Sequence, residues 1–582
     1  MGHRGGTASV WAEREIAIGA LVDDADGAVL PRDGSVVAAE ARVDNRPELS
    51  AELGAAPAAG DAALLHGALQ RWGDAAPAHL VGDYAFAAWD TARQRLLLAR
   101  DHAGVRQLYY HLDTARLAFA TELKALFELG DVPRRLDEIR LADYLLDSWI
   151  DWESTLYRDV RSLPPACLLA ADRRAVTAPR RYWQLDPGTP ELGGTMTDHA
   201  QRFREVFTRA VADRLGPPSA TASTLSGGLD STSVTVTARR LLPRGELLRT
   251  VSGTFDEVRS ADESAFLQEV AFGPGMAPRF FNPEATGFLA DFEGSTWDGD
   301  EPFWPPSPVT WEAQRAAAAA GAAVMLDGHG GDDVVNHGFA RVTELALAGR
   351  VLTAGRAMGA LHAEFGTSYS AIAMRWVARP LQPAWLRGRR RGATLPDTLP
   401  MPLRADFIQR HGLRDRLLQA RTLPPRNARQ HHLDEMTSAL DPVIFGSQDR
   451  AGALAGVESR YPFYDRRLME LAFALPASAR MDQGFTRAVL REAMRGLLPE
   501  RIRARRGKTT MGDLLIHSLR GPDAGRLSEA INDAGPLAGA VDVQALREVH
   551  QRFLRTGGYA DAHTLMRAAR MRGWLLRQGL GV

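Results

Sequence analysis

Ser226-Gly-Gly-Leu-Asp-Ser231 sets two glycines, two hydroxyls and a carboxylate where a strand would hand over to a helix. The glycines let successive backbone N–H groups turn toward one point. Ser226 and Ser231 add hydroxyl donors, and the start of the following helix adds partial positive charge, which together make a phosphate cradle. Asp230 would repel a bare phosphate, so its presence implies a cation between them, most simply Mg²⁺. Taken alone, the string is also an ordinary Gly-rich turn with a serine N-cap. A second motif decides between the two.

That motif is Met325-Leu-Asp-Gly-His-Gly-Gly-Asp-Asp333. An alanine-rich helix is predicted over Trp311 to Ala320, stopped by Gly321, and Ala322 to Leu326 then has the pattern of a short buried strand. Such a strand delivers Gly328 to Asp333 to the carboxyl edge of a sheet, where open α/β sheets bind their ligands. Asp332 then becomes the second ligand of the cation held by Asp230, and two carboxylates bracketing a polyphosphate make a nucleotide site.

With these residues placed, the chain resembles the asparagine synthetase superfamily. Ser226 to Ser231 is similar to the pyrophosphatase-type loop of ATP-dependent ligases, and Gly328 to Asp333 to the family's G-x-G-x-D-E segment, with Asp333 in place of Glu. Glu458-Ser-Arg-Tyr-Pro-Phe-Tyr-Asp465 resembles its E-x-R-x-P-F-x-D signature, and Thr486 to Leu498 with Arg505-Arg-Gly-Lys508 its C-terminal active-site stretch. The resemblance implies ATP and Mg²⁺ as cofactors, with Asp230 and Asp332 as metal ligands. Nucleotide contacts are implied at Leu225, Ser226, Gly227, Gly228 and Ser231, at Val251 and Ser252, and at Gly328 and Gly330. Catalytic roles are implied for Lys508, His329 and Arg487. His329 stands where relatives carry Glu or Tyr; a histidine there could take a proton from an ammonium nucleophile near neutral pH, or could only hydrogen-bond phosphate or backbone.

Composition bears on Lys508 independently. Lys124 and Lys508 are the only lysines, so a retained lysine needs a reason. An ammonium is a compact, mobile charge able to follow charge moving between phosphate and carbonyl oxygen, which a planar guanidinium does less well. Gly507-Lys-Thr509 is not a Walker A loop, because Ile502 stands where that pattern needs glycine.

A chain of 582 residues with 45% apolar content and net charge −1 suggests two large globular domains and no binding of nucleic acid by charge. No apolar run is long enough to span a bilayer, and Met1 to Val10 lacks a signal-peptide core, which predicts a cytoplasmic protein. The expected fold is α/β: a β-rich, glutaminase-like (Ntn-type) α/β sandwich over residues 1–185, a linker over 186–200, and a parallel-sheet ATP-pyrophosphatase-type synthetase domain with added helices over 201–582. Strand and helix patterns alternate to about Gly338, and the chain beyond reads mostly helical.

The first domain resembles the glutaminase domain of asparagine synthetase in its strand order but departs from it in chemistry. The family's amidotransferases use a cysteine directly after the initiator methionine, where this chain has Gly2-His3, and the N-G-E segment that holds glutamine is replaced by Glu40-Ala41-Arg42. Cys167, the sole cysteine, lies in the apolar run Ala166 to Ala170 and reads as a small buried hydrophobe. The domain is therefore expected to be a scaffold unable to release ammonia.

A degenerate first domain, the divergent G-H-G-G-D-D segment and an arginine-rich composition together resemble the macrolactam-forming cyclases of lasso peptide biosynthesis. That resemblance implies adenylation of an Asp or Glu side chain of a linear core peptide and its capture by the peptide's own N-terminal amine, with a leader peptidase and a leader-recognition protein as partners. The alternatives are a small-molecule ligase, either β-lactam synthetase-like or an ammonia-dependent asparagine synthetase, and a nucleotide-binding scaffold without catalysis.

Overall fold

The computed structural model describes residues 7–22, 30–32, 34–56, 59–290, 302, 307–382, 399–420, 427–507, 509 and 511–582. Its first half is built on antiparallel strands. β1 (Thr7–Glu13) and β2 (Ile16–Val22) form a hairpin; β3 (Leu30–Arg32), β4 (Ser35–Val43), β5 (Gly82–Asp90) and β6 (Arg95–Arg100) continue the chain. β7 (Tyr109–Leu112), β8 (Leu117–Ala120) and β9 (Arg161–Ser162) make a small sheet, and β10 (Cys167–Asp172) and β11 (Arg180–Arg181) return to the main one. The main sheet has the order β11-β10-β6-β5-β4-β3.

Alternation along β4, β5 and β6 feeds two cores. Val37, Tyr84, Phe86 and Leu97 face the helix Asp61–Trp72, whereas Val36, Ala85, Leu96 and Leu98 pack toward Ile18, Leu108 and Tyr110. Cys167 lies in the second core, 4% exposed, and burial pushes its thiol up.

The helix Met196–Asp213 opens the second half, starting inside the stretch read as a linker. Thr195 caps it reciprocally with Asp198, and Phe203, Phe207, Ala210 and Val211 form its buried face. The strands that follow, β12 (Thr221–Thr224), β13 (Leu248–Gly253), β14 (Met276–Phe281), β15 (Val324–Leu326) and β16 (Glu458–Arg460), are all parallel and ordered β14-β13-β12-β15-β16. The fifth strand comes from a region whose pattern reads as helical. Three residues are too few to show a period, and β16 is held by pairing with β15 alone.

From β12 the sheet grows toward β13 in one direction and toward β15 in the other. The crevice outside the carboxyl ends of β12 and β15 is therefore the topological switch point. Ala313 and Ala317 of the helix Pro308–Ala319 pack on Ala222, Val251 and Met325, where small side chains let helix and sheet approach closely. No helix among the described residues is long and apolar enough to cross a membrane.

Candidate active site

Both predicted loops meet at the switch point. The loop after β12 leads into the helix Leu229–Leu241, which carries Asp230 and Ser231 in its first turn. Ser226 Oγ and Ser231 Oγ lie 2.9 Å apart, and Ser226 N donates to Ser231 Oγ at 3.1 Å. Gly227 takes φ +77°, and a Cβ there would approach Cβ of Phe266 to 2.9 Å. Arg505 stacks over the Phe266 ring at 4.1 Å and binds Glu263 at 2.6 Å and the Gly227 carbonyl at 3.2 Å, so a residue from the far end of the chain holds the loop shape.

The loop after β15 lies directly on this turn. A Cβ at Gly328 would stand 2.5 Å from Ser231 N, and one at Gly331 would stand 2.3 Å from Cγ of Asp230. Gly328 is needed because backbone meets backbone, and Gly331 because the Asp230 carboxylate lies against it. Gly331–Val335 winds as one wide helical turn that presents Asp332.

Asp230 Oδ2 and Asp332 Oδ1 converge on one atom, NH1 of Arg487, at 2.6 and 3.0 Å. The other terminal nitrogen of Arg487 donates to Glu364 Oε1 at 3.0 Å. Arg487 sits at φ +51° just before the helix Ala488–Ala493, a conformation that costs an L residue about 1 kcal/mol and is held here by three carboxylates. Burial alone would lower its pKa, but Asp230, Asp332 and Glu364 outweigh burial and hold it above the ordinary range. The neighbouring Arg491 goes the other way: burial and Arg487 lower it to about 10.

A cavity of about 380 Å³ opens beside this group, lined by Ser226, Gly228, Asp230, Ser231 and Gly328 together with Glu364, Arg487 and Thr509, and by apolar Val309, Ala313 and Met325. Leu225, Val251 and Ser252, expected as nucleotide contacts, are buried and do not line it; Leu225 N donates to the Val251 carbonyl at 3.0 Å. Gly330 takes φ +92° against the Tyr464 ring. His329 is held apart from the cavity lining: its ring packs among Phe445, Tyr461 and Tyr464 at 5.7 to 6.0 Å, and its backbone N donates to Asp327 Oδ1 at 2.8 Å. Lys508 lies outside the described residues, between Gly507 and Thr509, which both line the cavity.

Sequence reasoning missed Glu364 and Glu263, and it placed Arg505 in the active-site stretch without a role. Glu364 leaves a trace, since it falls on the buried face of the helix Val351–Phe365 with Ala357, Ala360 and Leu361, where an acidic side chain needs a partner. The Glu458-to-Asp465 signature serves structure. Arg460 grips Glu458 at 2.6 Å, and Asp465 caps the helix Arg466–Ala474 while binding Arg214 at 2.6 Å.

Residues 202–575 match the asparagine synthase family, and residues 1–183 match a glutamine amidotransferase domain. The chain belongs to the asparagine synthase family, and it is an enzyme of the ATP-dependent ligase class. A Mycobacterium tuberculosis (strain H37Rv) protein that carries the name of a glutamine-hydrolysing asparagine synthetase is 26% identical over 484 residues, 78% of this chain and 71% of its own. Asparagine synthetase [glutamine-hydrolyzing] 1 of Bacillus subtilis is 22% identical over 493 residues, 79% and 72%. Amidase chry2 of Gibberella zeae is 28% identical over 270 residues, 44% and 40%.

These matches correct the macrolactam-cyclase expectation. Relatives matched over more than three quarters of this chain are asparagine synthetases by name, and the two halves match an asparagine synthase family and a glutamine amidotransferase domain. Of the features that suggested a cyclase, the divergent segment is a local substitution: Asp333, one methylene shorter than Glu, is met by Tyr464 Oη at 3.4 Å. The expected peptide substrate, leader peptidase and leader-recognition protein rested on that reading and go no further. Membership in a ligase family likewise displaces the scaffold without catalysis.

Proposed function

We propose that this protein is an ATP-dependent amide synthetase that joins a small-molecule carboxylate to ammonia or a small amine, as an asparagine synthetase does. The observation that carries the reading is the convergence of Asp230 and Asp332, from neighbouring strand ends, at the mouth of a glycine-walled cavity. Carboxylate oxygens are the donors a hard divalent cation takes, and Asp230 and Asp332 stand side by side with the Arg487 guanidinium between them, so these two residues would hold Mg²⁺ beside that guanidinium. A cavity of about 380 Å³ is of the size that holds a small-molecule ligand.

ATP with Mg²⁺ would supply activation of the carboxylate as an acyl-adenylate with loss of pyrophosphate, after which the amine displaces AMP. The chain's own residues prepare this. Ser226, Ser231 and the first turn of Leu229–Leu241 direct hydroxyls and N–H groups at phosphate, and Asp230 and Asp332 would hold the cation. Arg487, anchored by Glu364, keeps those carboxylates together. Lys508 would offset charge that shifts from phosphate to carbonyl oxygen.

The nitrogen donor in this reading is free ammonia or an amine. Cys167 is buried in a core, and Arg42, standing in the segment where the family holds glutamine, is engaged by Asp44 at 2.8 Å and Asp83 at 2.7 Å. The test incubates the full chain with ATP, Mg²⁺, ammonium and a panel of amino and hydroxy acids that includes aspartate. Pyrophosphate released only with a matching carboxylate supports the proposal. ADP and phosphate as products, or pyrophosphate release indifferent to carboxylate, would overturn it.

A further inference from the structure

A second cavity, of about 170 Å³, lies where residues 288–290 meet the helices Ala524–Asn532 and Tyr559–Gln578, and it shares no lining residue with the nucleotide cavity. Among the described residues, four arginines line it, Arg526, Arg570, Arg572 and Arg577, with one carboxylate, Glu529. Asp523 binds Arg526 at 3.2 Å, and Glu529 and Asp533 each reach Arg572 at 3.4 Å. Arg570 is 8% exposed. Its Nε donates to the Phe288 carbonyl at 3.0 Å, while its NH2 is buried without a hydrogen-bond partner. Burial pushes this guanidinium below its ordinary value, and the nearby Tyr144 and Asp523 do not offset that. Leaving a buried cationic donor unpaired is costly, and an anion in the cavity would remove that cost.

The rest of the lining is largely apolar: Phe288 and Leu289, with Ala530 and Ala569. Its position is fixed, because Phe288 N donates to Ser518 Oγ at 3.0 Å and Leu289 N to Asp523 Oδ2 at 2.9 Å. A cavity near 150 Å³ lined by apolar side chains accepts a benzene-sized body, which sets the scale of ligand here. We propose that this cavity is a binding site for a small organic anion, with its phosphate or carboxylate head on Arg526, Arg570 and Arg577 and a ring-sized apolar body against Phe288 and Leu289.

The experiment is calorimetric titration of the full chain with phenyl phosphate, benzoate, inorganic phosphate and neutral benzyl alcohol. A saturating non-hydrolysable ATP analogue with Mg²⁺ is present to fill the nucleotide cavity. One site is expected, with phenyl phosphate or benzoate at least tenfold tighter than inorganic phosphate or benzyl alcohol, and the tighter of the two identifies the head group. Arg526→Ala and Arg577→Ala lie at the exposed rim and are expected to weaken binding about tenfold each, one charge-assisted hydrogen bond apiece. Arg570→Met is expected to abolish it. Absence of binding, displacement by the ATP analogue, or affinity unchanged in the Arg526→Ala/Arg577→Ala double variant would overturn the proposal. So would inorganic phosphate binding as tightly as phenyl phosphate.

Discussion

At the scale of single residues, the site depends on charges that face one another across a few ångströms. Asp230→Asn and Asp332→Asn keep the side-chain size and remove the charge that a divalent cation needs, so each is expected to lower pyrophosphate release about 100-fold or more with the fold retained. Pyrophosphate assays beside thermal melts check this, and wild-type rates in either variant would refute the metal assignment. Lys508→Arg keeps the charge but spreads it over a planar fork. If Lys508 acts on charge that develops in the transition state, turnover should fall about 100-fold while nucleotide affinity changes little. Single-turnover adenylation measured beside nucleotide binding separates the two quantities. Near-wild-type turnover in Lys508→Arg would mean that any cation suffices, and the scarcity of lysine in the chain would then say nothing about this one.

At the scale of elements, the two loops work as one body because glycine lets them touch. Gly328→Ala would put a methyl 2.5 Å from Ser231 N, backbone that cannot give way as a flexible side chain would. The substitution should part the β12 and β15 loops and weaken nucleotide binding about tenfold or more, read by titration with the ATP analogue. These loops were legible in the sequence because their chemistry is local: glycines, hydroxyls and carboxylates within six or seven residues, the second after an apolar strand pattern. What was not legible depends on distant packing. Glu364 meets Arg487 across 123 positions and Arg505 meets Glu263 across 242, and no local pattern announces either pair. The three-residue β16 is invisible to periodicity for a different reason, since its length carries less than two full alternations. The reading of function failed where a degenerate first domain, an arginine-rich composition and substitutions inside one loop, at His329 and Asp333, were together taken to change the substrate. The structure accommodates both with aromatic neighbours and leaves the frame of the site intact.

At the scale of the whole molecule, the two halves are joined by buried charge. Arg106 of the first half reaches Asp449 at 2.8 Å and Glu458, and Arg214 of the second reaches Asp44 at 3.0 Å. Glutamine is the first test of how far this joint serves catalysis. In the proposed reading, ammonium supports amide formation, whereas glutamine yields neither glutamate nor product, because Cys167 is buried and Arg42 is locked into the joint; glutamate release would reverse that conclusion. The joint also sets an acid limit on stability. Burial by itself would raise the pKa of Glu458, but Arg460, Arg106 and Arg42 bring it down from 4.5 to about 2. A carboxylate depressed in the folded state contributes stability that is complete above its unfolded value near 4.5 and is lost as pH falls toward 2. Glu458→Gln removes the charge while leaving three guanidinium groups facing the vacated position, so it should destabilise the chain by roughly 2–3 kcal/mol at neutral pH. The loss should shrink as pH drops from 4.5 to 2, because the wild-type carboxyl is itself being neutralised. Melting curves of both proteins between pH 2 and 8 measure this directly. Curves that stay parallel across the acid range would show that Glu458 does not carry the joint, and the acid sensitivity would then belong to Asp465, whose carboxylate is also depressed, bound between Arg214 and Arg467.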